Sequence, residues 1–120
     1  STAATGRGAR GAIIDGHTRD VAKIDALGRF PVFGTGTRPT DSLGRVAIAE
    51  YDRPVCVAGT TVRSGDLVVA DDDGVTVVPR ARAREAIRLA LEKATTENKA
   101  RDLLLGGGKL ADVWERFRVL

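Results

Sequence analysis

Short apolar runs separated by tight-turn signals constrain the fold of this chain more than any other feature. From residue 55 to residue 78 such runs alternate with Gly, Asp and Ser clusters, which favour turn conformations. Parallel strands need a long crossover between them, whereas antiparallel strands can be joined by a tight turn. The pattern therefore argues against a doubly wound parallel fold. The predicted strands are 55–57, 61–62, 67–70 and 75–78, with turns at 59–60, 64–66 and 72–74.

Helices flank these short strands on both sides. Pro79 is suited to open a helix at about 80–105, in which apolar residues follow helical spacing from Ala83 to Ala94 and which three glycines after Leu105 end. The expected architecture is an α/β fold with residues 1–79 as a core sheet domain and residues 80–120 as a C-terminal helical tail. The other predicted elements are a buried strand at 12–15, a helix at 20–27, strands at 31–33 and 45–49, a loop at 34–44 and a last helix at 110–117.

The candidate site is the segment in which the first strand leads into the first helix. A short apolar run ends at Asp15, and Arg19 and Asp20 stand side by side where the helix begins, with Thr18 as the expected N-cap. A carboxylate and a guanidinium side by side at the end of a strand could bind a divalent metal and an acidic substrate, respectively. An Asp in the first helical turn is also favoured by the helix dipole alone. His17, the only histidine, is either a surface residue or part of the cleft wall.

Composition excludes several classes of function. The 120 residues are 42% hydrophobic but only 4% aromatic, which predicts an aliphatic core. The net charge of +3 comes without a basic patch interleaved with aromatics, so we expect no nucleic-acid partner. No apolar run is long enough for a membrane span. Cys56 lies in an apolar run and is predicted to be a small core residue, and a single cysteine fits a reducing, cytoplasmic compartment.

Two further motifs are weak. Residues 6–11 spell G-x-G-x-x-G, but this segment precedes a strand instead of following one, so it cannot present phosphate to a helix N-terminus. Residues 71–74, Asp-Asp-Asp-Gly, lack the alternating ligands and downstream glutamate of an EF-hand loop and are expected to form a solvated turn.

From about Gly6 onward the chain resembles the class II pyruvate aldolases, a family that also includes regulators of ribonuclease E activity. The family acts on 4-hydroxy-4-methyl-2-oxoglutarate and 4-carboxy-4-hydroxy-2-oxoadipate. The resemblance runs in order over nearly the whole chain. It is carried by Ala12–Asp20, Phe30–Gly34, Val57–Leu67 and Val69–Pro79.

This resemblance implies a layered β/β/α fold of the swivelling-domain kind. It implies a metal-dependent lyase that cleaves a 4-hydroxy-2-oxo acid to pyruvate through a metal-stabilised enolate, and that also decarboxylates oxaloacetate. By analogy Asp20 holds Mg²⁺ or Mn²⁺, and Arg19 binds the substrate and stabilises the enolate as the catalytic residue. The expected partners are a small 2-oxo acid and further copies of the chain, as a homotrimer or homohexamer.

The resemblance leaves one alternative open and adds one expectation. The alternative is a non-catalytic, protein-binding regulator of the ribonuclease E type, although that branch tends to lack the aspartate after the arginine. Because the family's members are longer and this chain contains no Met, we expect a C-terminal piece of a longer chain. A Gly-Asp loop would then lie just before Ser1.

Overall fold

A computed structural model describes residues 1–119 of the chain. These residues form two compact units. Within the described residues, the first contains 1–64 and 68–77, and the second contains 65–67 and 78–119. The mixture of helices and short strands agrees with the expected α/β class. The layered arrangement, and the division into a sheet domain and a helical tail at residue 79, stay predictions.

The first unit is organised by two short parallel ladders. Strand β1 pairs with β3, with Ala12 opposite Val32, and β2 pairs with β4, with Thr18 opposite Thr37. A short helix, α2 (Val21–Asp25), lies within both the connection from β1 to β3 and the connection from β2 to β4, and so helps to provide the long crossover that parallel strands require. The bounds are α1 Thr2–Gly6, β1 Ala12–Ile13, β2 His17–Thr18, α2 Val21–Asp25, β3 Val32–Phe33 and β4 Gly36–Thr37.

Two glycines allow the paired segments to approach each other closely. A Cβ atom on Gly11 would lie 2.8 Å from the carbonyl oxygen of Pro31. A Cβ atom on Gly34 would lie 2.9 Å from the carbonyl oxygen of Gly16. Real Cβ atoms essentially never come this close to a backbone oxygen, so these positions require glycine for the ladders to form as they do.

Two hairpins follow in the chain. Strands β5, Val55–Val57, and β6, Thr60–Val62, are antiparallel, and the turn residues Ala58 and Gly59 both have positive φ, as a type I′ turn requires. Strands β7, Leu67–Asp71, and β8, Gly74–Val78, form the second hairpin. In its turn Asp71 Oδ1 accepts hydrogen bonds from the backbone N–H groups of Asp73 and Gly74. The acidic run therefore forms a turn between two strands, as expected, and the Asp71 side chain stabilises it.

The two C-terminal helices have the bounds that the sequence predicts, α3 at Arg80–Leu105 and α4 at Leu110–Phe117. The backbone N–H of Arg80 donates to Asp66 Oδ1 at 2.9 Å, which satisfies one of the orphan donors at the start of α3. The two helices pack together near their junction, where Ala100 and Val113 are buried. None of the helices in residues 1–119 combines the length and the apolarity of a bilayer span.

Several expectations from the sequence are wrong. Residues 45–49 form no strand, and Val46 and Ile48 are 73% and 87% exposed. Cys56 is exposed instead of buried. Within residues 1–119 the buried apolar residues are Phe30 in the first unit and Ala100 and Val113 in the second, so the expected aliphatic core is small in each unit and the residue buried in the first is aromatic. The physical reason is that two-stranded ladders present too little apolar surface to cover one another.

Other differences concern the bounds of elements around the site. The first strand ends at Ile13, and its residues are half-buried instead of buried. The segment 34–44 is not all loop, because β4 lies within it. The N-cap of α2 is Asp20 instead of Thr18, whose hydroxyl lies 3.4 Å from the carbonyl oxygen of Arg19. A two-residue strand carries no periodicity that a sequence pattern could show.

Candidate functional site

The carboxyl ends of β2 and β4 lie side by side and supply the residues of a cleft. Because the two strands are parallel, the residues that follow each strand emerge at the same edge, which is where ligands bind in open α/β sheets. The backbone N–H of Arg38 donates to the carbonyl oxygen of Thr18 at 2.8 Å and extends the pairing by one residue. Arg19 and Asp20 therefore face the segment that begins at Arg38.

The cleft has a volume of about 640 Å³ and a cationic wall. Four side chains with positive charge line it, against two carboxylates. An excess of positive charge in a concave site raises the local concentration of anions. The cleft therefore suits a small acid better than a neutral or cationic ligand. Its charged residues are Arg19, Lys23, Arg38 and Arg45 with Asp20 and Asp41, and His17 also lies on the wall.

Arg19 lies between two carboxylates. Its Nη1 donates to Asp41 Oδ2 at 2.8 Å, and its Nε lies 3.8 Å from Asp20 Oδ2. The side chain is 45% exposed, so the guanidinium meets both the cleft and solvent. An arginine presents five N–H donors in a planar fork that matches a carboxylate or an enolate oxygen. The site thus combines a fixed cation with further donors for an acidic ligand.

Asp20 has an unusual backbone for a residue with a side chain. Its φ is 58° and its ψ is 36°, in the left-handed region, although it begins α2. Its carbonyl oxygen accepts the first helical hydrogen bonds from Lys23 and Ile24, but its carboxylate caps no backbone N–H. That carboxylate is 53% exposed, with Lys23 Nζ at 3.9 Å. A non-glycine residue held in this region is often found at a functional site.

The donor chemistry at Asp20 fits a hard divalent cation. Mg²⁺ takes oxygen ligands and keeps several waters beside one or two carboxylates. Residues 1–119 contain no group of three or more His, Cys, Asp or Glu side chains placed to hold a metal ion. Asp20 would therefore act as a single protein ligand, which suits a magnesium site that keeps most of its waters and does not suit a closed cage.

Asp41, Arg38 and Arg45 line the cleft and were missed by sequence reasoning, and Asp41 is the one that contacts Arg19. Its Oδ1 accepts the backbone N–H of Leu43 at 3.0 Å, while its Oδ2 accepts from Arg19. The Leu43 N–H, followed by the Arg19 guanidinium, holds the pKa of this carboxyl below its usual range. The run Asp-Ser-Leu-Gly carried a turn signal. The sequence of this run could not show that the turn lies against Arg19, because their contact depends on the pairing of β2 with β4.

His17 lies on the wall of the cleft, as one of its two sequence interpretations holds, and its side chain is exposed. The ring is near the partner strand, since a Cβ atom on Gly36 would lie 3.4 Å from His17 Cδ2. Gly36 has a φ of 152°, which favours glycine, so the strand passes the ring without a side chain between them.

Comparison with known proteins identifies a family and several relatives of this chain. The RraA-like family, described as Aldolase/RraA, matches residues 1–77. A protein of Halalkalibacterium halodurans named "Putative 4-hydroxy-4-methyl-2-oxoglutarate aldolase" is 33% identical over 104 residues, which are 87% of this chain and 48% of that protein.

Two solved structures are similar as well. An uncharacterized protein from Pseudomonas syringae pv. tomato superposes with a TM-score of 0.87 at 28% identity, over 93% of this chain and 56% of that one. Streptomyces coelicolor RraAS2, described as "an unusual member of the RNase ES inhibitor RraA protein family", superposes with a TM-score of 0.71 at 38% identity, over 81% of this chain and 49% of that one. The chain spans half or less of the length of the curated relatives it matches.

Proposed function

The chain belongs to the RraA-like (Aldolase/RraA) family, and from that premise we propose that it carries the catalytic arginine and a metal-binding aspartate of a pyruvate-forming lyase. The proposed reaction cleaves a 4-hydroxy-2-oxo acid. The observation that carries the proposal is the placement of Arg19 and Asp20 on the wall of a cationic cleft, at the carboxyl ends of paired parallel strands.

The chemistry of the cleavage matches the charges of the cleft. The bond between C3 and C4 of the substrate breaks, the C4 hydroxyl loses its proton and becomes a carbonyl, and the electron pair moves into the pyruvate enolate. Negative charge then develops on the former ketone oxygen at C2. The Arg19 guanidinium stabilises this charge, because it stays protonated and donates from a rigid fork. A proton transferred to C3 replaces the one that the C4 hydroxyl released, so protons balance overall and pyruvate is complete.

Asp20 is the residue proposed to hold the divalent cation, Mg²⁺ or Mn²⁺. When bound, such a cation supplies Lewis-acid polarisation of the 2-oxo group. Arg38 and Arg45 raise the positive charge of the same cleft and favour binding of a substrate with more than one carboxylate. Oxaloacetate is proposed as a second substrate, since its decarboxylation leaves the same enolate.

The role of Arg19 is tested by Arg19→Lys in the intact protein, with pyruvate release from 4-hydroxy-4-methyl-2-oxoglutarate as the measurement. Lysine keeps the charge but loses the fork. We expect transition-state stabilisation to fall by about 2–4 kcal/mol, which is about 30- to 900-fold in kcat. Arg29→Lys, at an exposed position outside the cleft, is the matched control. A loss of less than about threefold for Arg19→Lys would show that this arginine is structural.

The role of Asp20 is tested by Asp20→Asn. Asparagine tolerates the left-handed backbone better than alanine does, so the helix start should survive the substitution. We expect the Mg²⁺ concentration for half-maximal activity to rise by about tenfold or more. Asp25→Asn, on the same helix and outside the cleft, should leave the Mg²⁺ dependence unchanged. An unchanged dependence for Asp20→Asn would remove this residue from the metal site.

A protein-binding regulator is the second candidate. Besides the similarity to RraAS2 of the RNase ES inhibitor family, an exposed apolar segment favours it. Leu43, Ile48 and Tyr51 are 86%, 87% and 88% exposed on an irregular stretch of chain. Substituting Ile48 with Asp should abolish binding to a ribonuclease E-type enzyme if this role is correct. The same substitution should leave pyruvate release unchanged if the protein is an aldolase alone.

A further inference from the structure

The contact between Arg19 and Asp41 joins two segments that are distant in sequence. The two residues are separated by 22 positions, and their hydrogen bond is 2.8 Å long. Pairing of β2 with β4 makes the contact possible, because it brings the ends of both strands to one edge. Asp41 follows β4 by four residues, after Arg38 has continued the ladder with its bond to Thr18.

The two oxygens of Asp41 have different partners. Oδ1 accepts the backbone N–H of Leu43 and so fixes the carboxylate to its own turn. Oδ2 accepts from Arg19 Nη1. A carboxylate that is itself held by the backbone is a better orienting group than one on a freely rotating side chain, because less rotamer freedom is lost when the second bond forms.

Arg19 needs such an orienting group. Its side chain is long and 45% exposed, and its other carboxylate neighbour, Asp20 Oδ2, lies 3.8 Å from Nε, beyond hydrogen-bond distance. Among the described residues, the bond to Asp41 is therefore the short polar contact that restrains the guanidinium. Because the guanidinium is planar and rigid, holding one Nη group restricts the directions that its other N–H donors can take.

We propose that Asp41 is a positioning residue, which holds the Arg19 guanidinium in the orientation required to stabilise the enolate oxygen. This inference rests on the proposed function. Asp41 itself contacts neither substrate nor metal in this account. It acts through Arg19, and it does so from a turn whose place is set by the register of the parallel strands.

The test compares Asp41→Asn and Asp41→Ser in the intact protein. The Asn oxygen can keep the bond to Leu43, and Ser can form a similar turn with its hydroxyl, but neither side chain places a second acceptor against Arg19. We expect kcat and kcat/KM for pyruvate release to fall together by about tenfold or more, because misplacement by about an ångström is costly. The melting temperature should change by less than about 2 °C.

Asp41→Asn in the Arg19→Lys background separates positioning from a general structural role. If Asp41 acts through Arg19, the double variant should be no slower than Arg19→Lys alone. If the two losses multiply, or if Asp41→Asn keeps full kcat, the inference is overturned. A wild-type protein that releases no pyruvate removes the proposed function and the inference with it. Active wild type beside fully active Asp41 variants removes the inference alone.

Discussion

The cleft and the C-terminal helices are held together by different kinds of contact. Around the cleft, two-residue strands are joined by backbone hydrogen bonds between segments about twenty residues apart, such as Ala12 to Pro31 and Thr35 to Gly16. In α3, the side-chain pairs are local, at spacings of three or four residues, as in Arg88 with Glu92. The cleft therefore depends on a few long-range contacts, whereas the helix depends on many short-range ones.

This difference indicates where a single substitution should lower stability or activity most. A helix with local pairs loses little when one pair is removed, because each exposed pair contributes a few tenths of a kcal/mol. A short ladder has no such redundancy. Its backbone spacing is set by positions at which no side chain fits, such as Gly34 against Gly16, and Arg19 and Asp20 directly follow β2 of that ladder.

The largest effect on stability should come from adding a single carbon atom to the ladder. In Gly34→Ala the new Cβ would lie 2.9 Å from the carbonyl oxygen of Gly16 and 3.1 Å from Ile14 Cγ1. We expect the free energy of unfolding to fall by about 1–3 kcal/mol, together with a loss of pyruvate release. Gly16→Ala is the matched control, since its Cβ would meet no atom within 4 Å. Equal stability of the two variants in denaturant unfolding would contradict this account of the ladder.

The contrast between the two regions also explains what the sequence could predict. The bounds of α3 and α4 follow from Pro79, the three glycines after Leu105 and the helical spacing between them, and the structure confirms them. The hairpins also follow from local turn chemistry, although the first turn lies at Ala58 and Gly59 instead of 59–60, so that β6 begins one residue earlier than predicted. By contrast, β4 and the pairing that brings Asp41 to Arg19 depend on contacts across the sheet, which no local pattern in the sequence specifies.

The same reasoning explains the errors. Apolar residues at 45–49 predicted a strand, but in residues 1–119 this segment finds no paired strand and stays irregular. Cys56 was expected in a core because of its apolar neighbours, yet a two-stranded hairpin leaves one face open. Arg19 and Asp20 could be proposed as site residues because the strand-to-helix junction is local. Their roles stay predictions until the variants are assayed.

A smaller loss should follow from removing the hydrogen bond between Asp15 and the β5–β6 turn. Asp15 Oδ2 accepts the backbone N–H of Ala58 at 2.9 Å, and Ala58 has a positive φ of 46°. We expect Asp15→Ala to lower the free energy of unfolding by about 1 kcal/mol. Asp15→Asn, which keeps an acceptor oxygen, should recover most of this loss in urea unfolding. If Asp15→Ala and Asp15→Asn have the same free energy of unfolding, the turn does not depend on a hydrogen bond to the Asp15 side chain.

A still smaller effect is expected in α3. Glu92→Gln removes the charge that pairs with Arg88 at 2.7 Å and leaves helix propensity almost unchanged. The free energy of unfolding should fall by about 0.3–0.5 kcal/mol at low salt, and the difference should vanish near 1 M salt because of screening. A loss above about 1 kcal/mol would show that the helix depends on this pair and would break the contrast drawn with the cleft.

The smallest effect should be the pH dependence of stability that Asp41 contributes. Its pKa is lowered in the folded state, first by the Leu43 N–H and then by Arg19, so the folded protein binds this proton less tightly than the unfolded chain does. The stability gained is therefore complete above the unfolded pKa and is lost as the pH falls below about 4 and through the folded pKa. The melting temperature of the wild type minus that of Asp41→Asn should be small and positive at pH 7 and should decrease towards pH 3. Because the side chain is half-exposed, salt should reduce the difference further. A difference that grows on acidification would show that Asp41 is held in its protonated form, which would also remove the ion pair by which it positions Arg19.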